Sequence, residues 1–286
     1  MISIIISSYQ PTFFAALEKN IAETIGVPYE ILQIYNPGTM GICEAYNMGA
    51  QQAKYDNLLF IHEDILFHTH NWGEKLISHL QDPETGIIGV AGSDYVPVAP
   101  SGWYVKGHNF MHILQNNKKG DNCCLFNSTS QTKHKVIALD GVFLAMSKQK
   151  LSNLSFNEAI KGYHGYDLDI SLRSSLKFTN YVISDILVEH FSPGTDEKTW
   201  FDAIVKVRRN LGSQFNYIRD SKLEQEMFYI FMSQYIGYYG VSCRTIITTL
   251  EFFPVRIKLK DQIAIAKKLM YYYIYRNSYN LKKTHE

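Results

Sequence analysis

The chain is poor in cysteine. Four are spread over 286 residues, Cys43, Cys123, Cys124 and Cys243, with no C-x-x-C pair and no regular spacing. A chain of this size needs no disulfide framework, so the sequence reads as that of a reduced, cytoplasmic protein. No run approaches the roughly 18 consecutive apolar residues that crossing a bilayer requires. The N-terminus enters Ile2-Ser3-Ile4-Ile5-Ile6 with no basic stretch before it, which reads as a buried strand and not as a signal peptide. Positive charge is not in surplus either. With 28 Lys and Arg against 27 Asp and Glu, the net charge of +1 argues against a nucleic-acid partner. The missing G-x-x-x-x-G-K-[ST], G-x-G-x-x-G and G-x-S-x-G strings remove the usual support for phosphate-loop NTPases, dinucleotide dehydrogenases and α/β-hydrolases.

What is present is globular: 46% of residues are hydrophobic and 19% charged. The length exceeds one ordinary core, which predicts one large α/β domain with an appendage. Residues 2–7 and 30–35 read as short strands ending in turn chemistry, Ser7-Ser8 and Asn36-Pro37-Gly38, and Phe13, Leu17, Ile21 and Ile25 space a helix between them. That is a parallel β-α-β unit. The pattern continues with a helix over 41–54, a strand over 57–61, a helix over 72–80 and a strand over 86–91. Periodicity is lost from Pro97 to Lys135, as in a functional loop. Regular structure resumes over 136–146, in a helix beginning near Tyr166 and in a strand over 181–188. Three aromatic-rich helices follow, over 200–217, 223–239 and 259–275. The expected boundary lies near Thr195, separating a catalytic domain, 1–195, from a helical region, 196–286.

Ligands of open α/β sheets bind at the carboxyl edge of the strands, and Phe60-Ile61-His62-Glu63-Asp64 ends a strand there. A carboxylate at that edge can hold a divalent cation and, through it, a phosphate. Asp64 is the first-choice ligand, with Glu63 or His62 beside it; a strand-end acidic pair that only caps a helix or faces water is the competing reading. His190, in Val188-Glu189-His190, also ends a strand. Imidazole suits Mn²⁺ better than Mg²⁺, though a histidine beside apolar residues is commonly a hydrogen-bonded core residue. Asp167 and Asp169 project about 200° apart on a helix, so one works and one is structural. Asp169 and Arg173 have ion-pair spacing, leaving Asp167 as general base or as a mere N-cap. Its place at a helix start predicts a lowered pKa. Asp140-Gly141 is a turn small enough for an acceptor hydroxyl to approach, or a tight turn only. His68 and His70 read as surface loop residues. The two acidic clusters together suggest group transfer from a phosphate-activated donor to a hydroxyl.

In order and spacing these strings resemble the family 2 glycosyltransferases of GT-A type, over roughly residues 1–195. Ile4-Ile5-Ile6-Ser7-Ser8-Tyr9-Gln10 resembles the opening strand, whose end meets the nucleotide. Gly41, Ala45, Asn47 and Gly49 resemble the G-x-x-x-A-x-N-x-G helix start. His62-Glu63-Asp64 stands where D-x-D stands, Asp167 to Arg173 resembles E-D-x-D-L-x-x-R, and His190 matches a late metal-joining histidine. The resemblance implies a mostly parallel, Rossmann-like sheet flanked by helices and a nucleotide-sugar donor, a UDP-sugar first. It implies donor contacts from Ser7, Ser8, Tyr9, Asn36, Gly41, Asn47 and Glu63, and acceptor contacts from Asp140 and Gly141. Asp64 and His190 would hold Mn²⁺ or Mg²⁺, with Asp167 as sole base and inversion by direct displacement. The acceptor would be a glycan or lipid-linked hydroxyl, in a bacterial subgroup associated with cell-surface polysaccharide. Departures exist. Tyr35-Asn36 replaces an Asp pair that reads uracil, and His62 replaces the first Asp of D-x-D. A non-catalytic GT-A-like glycan-binding or assembly module is therefore the alternative.

Residues 254–283 set Arg256, Lys258, Lys260, Lys267, Lys268, Arg276, Lys282 and Lys283 among Leu259, Ile263, Ile265, Leu269, Met270 and four tyrosines. Such a helix either lies on an anionic membrane as a peripheral contact or packs on the protein with a solvated Lys face.

Overall fold

A computed structural model describes residues 1–116, 122–126, 131–192, 197–216 and 218–283. The chain divides into two compact units, Met1–Tyr95 with Gly102–Ala203, and Val96–Ser101 with Ile204–Glu286. The expected boundary near Thr195 lies outside the described residues.

The first unit begins β1 (Ile2–Ser8), α1 (Pro11–Thr24), β2 (Tyr29–Tyr35), α2 (Ile42–Gln52), β3 (Asn57–Ile61), β4 (Ile65–Phe67), α3 (Trp72–Leu80), β5 (Thr85–Gly89) and β6 (Ala91–Ser93). It continues with β7 (Asn109–Asn116), β8 (Asn122–Phe126), β9 (Lys133–Val136), β10 (Ala138–Leu139), β11 (Phe143–Ser147), α4 (Lys148–Leu154), α5 (Tyr166–Ser175), β12 (Thr179–Ile183) and β13 (Val188–His190). Then come the helices α6 (Lys198–Leu211), α7 (Ser221–Tyr239), α8 (Cys243–Leu250), α9 (Leu259–Ile274) and α10 (Arg276–Lys283).

The main sheet runs β2-β1-β3-β11-β5-β12-β9. β1 pairs in parallel with β2 and β3, and β12 with β5, while β11 is antiparallel to both β3 and β5. β1 and β3 are buried along nearly their whole lengths, apolar but for the buried Ser3 and Ser8 of β1, as strands of a sheet covered on both faces are. Ile2, Ile4, Ile6, Leu17, Ile21, Leu59, Ile61, Trp72 and Leu76 share one core. Trp72 stacks on Phe67 with ring centroids 4.0 Å apart and donates its indole N–H to Thr24 Oγ1 at 3.0 Å, so a large buried ring leaves no polar atom unpaired. A second sheet, β10-β6-β7-β13-β4, carries β8 on β7.

Helix α1 starts two residues before its periodic pattern because Pro11 is preset for the first turn. The segment 97–135, which looks irregular in sequence, contains β7, β8 and most of β9. Nearly all of β7 is half-buried, so Asn-Phe-Met-His-Ile-Leu-Gln-Asn shows no alternation for a period-2 search to detect. β4 and β13 are three residues each, too short to show any period.

In the second unit, the buried Glu224 carboxylate pairs with Arg219 at 2.8 Å and accepts the Val98 N–H at 2.9 Å, while buried Arg208 donates to Pro97 O at 2.8 Å. These charged bonds hold 96–101 onto α6 and α7.

Helix α2 packs on β1 through Gly49, where an added Cβ would overlap the Cγ2 of Ile5. Gly49→Ala therefore lowers stability by about 1–3 kcal/mol despite its better helix propensity. Urea unfolding measures this, and a variant as stable as the parent would show that the contact gives way.

Candidate active site

Two strand registers assemble the cleft. β3 ends at Ile61 and antiparallel β11 begins opposite it at Phe143, so Asp140, Gly141 and Val142 arrive beside His62, whose N–H bonds Val142 O at 3.3 Å. β4 begins at Ile65, and antiparallel β13 places His190 opposite that residue. His190 thereby comes alongside Asp64, and the Phe191 N–H bonds Asp64 O at 3.0 Å.

The three side chains His62, Asp64 and His190 converge, with one ligand atom from each lying within 4.8 Å of the others. His190 Nε2 is 3.6 Å from Asp64 Oδ1 and His62 Nδ1 is 3.9 Å from it, both too long for hydrogen bonds. His190 Nε2 is buried without a hydrogen-bond partner. Burial, then the neighbouring His190, lowers the pKa of His62, which favours the neutral, ligating ring. Burial alone would raise the Asp64 pKa, but His190 and then His62 outweigh it and hold the carboxyl below its usual value. A carboxylate and two imidazoles, one with an orphaned nitrogen, fit a divalent cation of the Mn²⁺ kind better than Mg²⁺, which prefers oxygen and water.

Asp167 stands in the first turn of α5, one residue after Tyr166, whose hydroxyl lies 2.9 Å from His62 Nε2 and donates to Gly141 O at 3.1 Å. Its pKa is not lowered, as the helix start alone predicts, but raised to about 7, by burial first and by the charge of Asp140 second; backbone N–H groups offset this only in part. Desolvation outweighs the helix end here. Asp169 turns away, fully buried, and pairs with Arg173 at 2.6 Å. Gly141 is bare for a reason: a Cβ there would overlap the Tyr166 hydroxyl and stand 3.1 Å from Asp167 Cβ. Tyr46, Phe60, Phe156 and Tyr166 pack as an aromatic cluster beneath, with centroids 4.9 to 6.3 Å apart.

Several residues expected at the donor are engaged within the protein. Glu63 accepts the Ser8 hydroxyl at 2.6 Å and the N–H groups of Tyr9 and Gln10 at 3.2 and 3.1 Å. Asn36 bonds Ser7 Oγ, Met40 O and the N–H groups of Thr39 and Met40, shaping the turn after β2. Asn47 holds Phe156 through both its N–H and its C=O and reaches Glu158. Gly41 lets the backbone of Gly162 approach, where a Cβ would stand 3.3 Å from Gly162 N. Tyr9 and Tyr35 remain exposed at the neighbouring ends of β1 and β2. His68 bonds Glu189 at 2.8 Å outside the triad. Gln115, 3.1 Å from His190 Nδ1, escaped the sequence reading because it sits in the aperiodic segment; no pattern there marks it.

A sequence model described as a glycosyltransferase-like family matches residues 3–209. No curated protein matches the chain in sequence. Among solved structures, S. aureus TarS 1–349 in complex with UDP aligns with a TM-score of 0.57 at 12% identity, over 98% of this chain and 91% of that one. The same protein in complex with UDP-GlcNAc gives 0.56 at 11% identity, over 99% and 88%. GalNAc-T7 with UDP, GalNAc and Mn²⁺ gives 0.53 at 11% identity over 81% of this chain, which spans only 54% of the GalNAc-T7 chain. Identities this low establish the fold, that of the GT-A glycosyltransferases.

Since the folded-state pKa of Asp167, about 7, exceeds its unfolded value of about 3.9, its ionisation costs stability as pH rises through 7. Asp167→Asn, which mimics the protonated form, should leave the melting temperature unchanged below about pH 4 and raise it increasingly up to pH 8. Melts across that range measure it; a gain independent of pH would contradict the raised pKa.

Proposed function

The chain belongs to the glycosyltransferase-like family, and from that premise we propose that its cleft transfers a sugar from a nucleotide-sugar donor to a hydroxyl of a glycan or lipid-linked acceptor, with inversion. One observation supports this: the Tyr166–His62 hydrogen bond ties the first turn of α5, which carries Asp167 with its pKa raised to about 7, to the His62–Asp64–His190 triad. Catalysis is assigned to residues 1–195.

His62, Asp64 and His190 would hold a divalent cation, Mn²⁺ before Mg²⁺, which when bound supplies positive charge against a leaving diphosphate. Asp167, ionised above pH 7, accepts the acceptor hydroxyl proton. The acceptor oxygen forms its bond to the anomeric carbon while the bond from that carbon to the diphosphate oxygen breaks, and the nucleoside diphosphate leaves with the electron pair. A base at this pKa is matched to neutral pH. Asp140 and Gly141 form the turn against Asp167 that the acceptor hydroxyl would approach, with the side-chain space of Gly141 given to the Tyr166 hydroxyl. Tyr9 and Tyr35 present exposed rings for the base, UDP being the first donor to try, as TarS binds UDP and UDP-GlcNAc.

Turnover of nucleotide-sugars with Mn²⁺, assayed with and without acceptor, tests this. The rate should rise with pH to a plateau above about 7, and Asp167→Asn should lose about 10²- to 10⁴-fold in kcat. An Asp167→Asn protein that sustains full glycan synthesis in cells would favour the non-catalytic alternative.

A lipid-linked acceptor is supported by the surface of the second unit. Helix α9 buries Ile265, Leu269 and Tyr272 and leaves Leu259, Ile263, Met270 and Ile274 exposed as a second stripe at helical spacing. Arg256, Lys258, Lys260, Lys267, Lys268 and Arg276 surround it, against Asp261 alone among acids. Two such faces repel, so an anionic bilayer on the cytoplasmic side fits better than a second copy. No described helix is long and apolar enough to cross a membrane. The protein should sediment with vesicles containing phosphatidylglycerol but not with phosphatidylcholine alone, and Ile263→Asp with Met270→Asp should abolish this. Equal binding to both, or none, would remove the membrane from the proposal.

A further inference from the structure

Each imidazole of the triad has its second nitrogen engaged, and the chemistry of the two partners decides where the protons sit. Gln115 lies opposite His190 in the parallel register of β7 with β13. Its Nε2 faces three carbonyl oxygens, of Ser192, His190 and Asn116, none of which can donate. The amide orientation is thereby fixed, and Oε1 faces His190 Nδ1 at 3.1 Å. An amide oxygen only accepts, so Nδ1 carries a proton, and in the neutral ring the buried, unpartnered Nε2 is then the lone pair. At His62 the logic runs through a hydroxyl. Gly141 O takes the one proton of Tyr166, at 3.1 Å, so the phenol oxygen accepts from His62 Nε2 at 2.9 Å and His62 Nδ1 is the bare nitrogen. The two rings thus adopt opposite tautomers, and both lone pairs face Asp64 Oδ1.

We propose that Gln115 and Tyr166 are positioning residues that lock opposite tautomers of His190 and His62, so that the cation site is preorganised before any ion arrives. The inference rests on reading the triad as a cation site, but it adds a statement about protons that holds in the metal-free protein. Partners of this type typically change metal affinity about 10- to 100-fold. Tyr166 has a second consequence: since Asp167 is the next residue, the same phenol ties the helix turn that carries Asp167 to His62.

The test has two arms. In metal-free protein labelled with ¹⁵N-histidine, long-range proton–nitrogen spectra should show His62 as the Nε2–H tautomer and His190 as Nδ1–H, with peaks assigned by single His→Gln substitutions. In parallel, Mn²⁺ titration followed by the free-ion electron paramagnetic resonance signal should show Tyr166→Phe and Gln115→Met each weakening binding about 10- to 100-fold. Melting without metal confirms that the variants fold. Either histidine in the other tautomer, or Tyr166→Phe and Gln115→Met binding Mn²⁺ as tightly as the parent, overturns the proposal. A parent that shows the expected tautomers yet binds no Mn²⁺ supports the lock and removes the metal reading of the cleft instead.

Discussion

The buried carboxylate of Glu63 is the pin on which the cleft depends. By accepting the Ser8 hydroxyl and the N–H groups of Tyr9 and Gln10, it ties the end of β3 to the end of β1 at the sheet edge. Charge-assisted bonds of this kind are about twice as strong as neutral ones. Glu63 points back into the protein while its two neighbours, His62 and Asp64, both meet His190. A three-residue string thus divides its labour, with the middle residue holding the backbone and the outer two facing the cleft. Placing two cleft-facing groups at the first and third positions requires a central residue that can be buried and satisfied, and Glu63 is both.

What the chain announces and what it conceals follow a physical rule. The α/β layering was legible because β1, α1, β3 and α3 are long enough to display a period, and Asp64, Asp167 and His190 drew notice because they follow strands or open a helix. The second sheet was not legible: β4 and β13 are three residues each and β7 is half-buried on both sides. Yet β13 and β7 are what bring Gln115 to His190. Side-chain use was hidden as well. Asn36 and Asn47 stand at positions where the family resemblance places donor contacts, and the structure shows their amides spent on neighbouring backbone. Short-range pattern cannot tell an amide that serves a turn from one that faces a ligand. The direction of the Asp167 shift was misjudged for a related reason, since helix position is visible in sequence, whereas burial in the folded protein and the charge of Asp140, 27 positions away, are not.

The same cleft also shows how hydrophobic packing and polar chemistry are interleaved. Tyr166 belongs to the aromatic cluster with Tyr46, Phe60 and Phe156 by its ring and to the histidine by its hydroxyl. Burial holds its pKa well above the ordinary phenol value, so it stays a neutral donor and acceptor. The core beneath the cleft therefore determines a proton position at its rim.

Gly141 gives that arrangement its tolerance, which is nil. With the phenol and the Asp167 Cβ already where a side chain at Gly141 would stand, even a methyl group there would force Tyr166 or the first turn of α5 to shift. Anyone reshaping this cleft must carve from the surrounding loops, because the turn at Gly141 has no space to give.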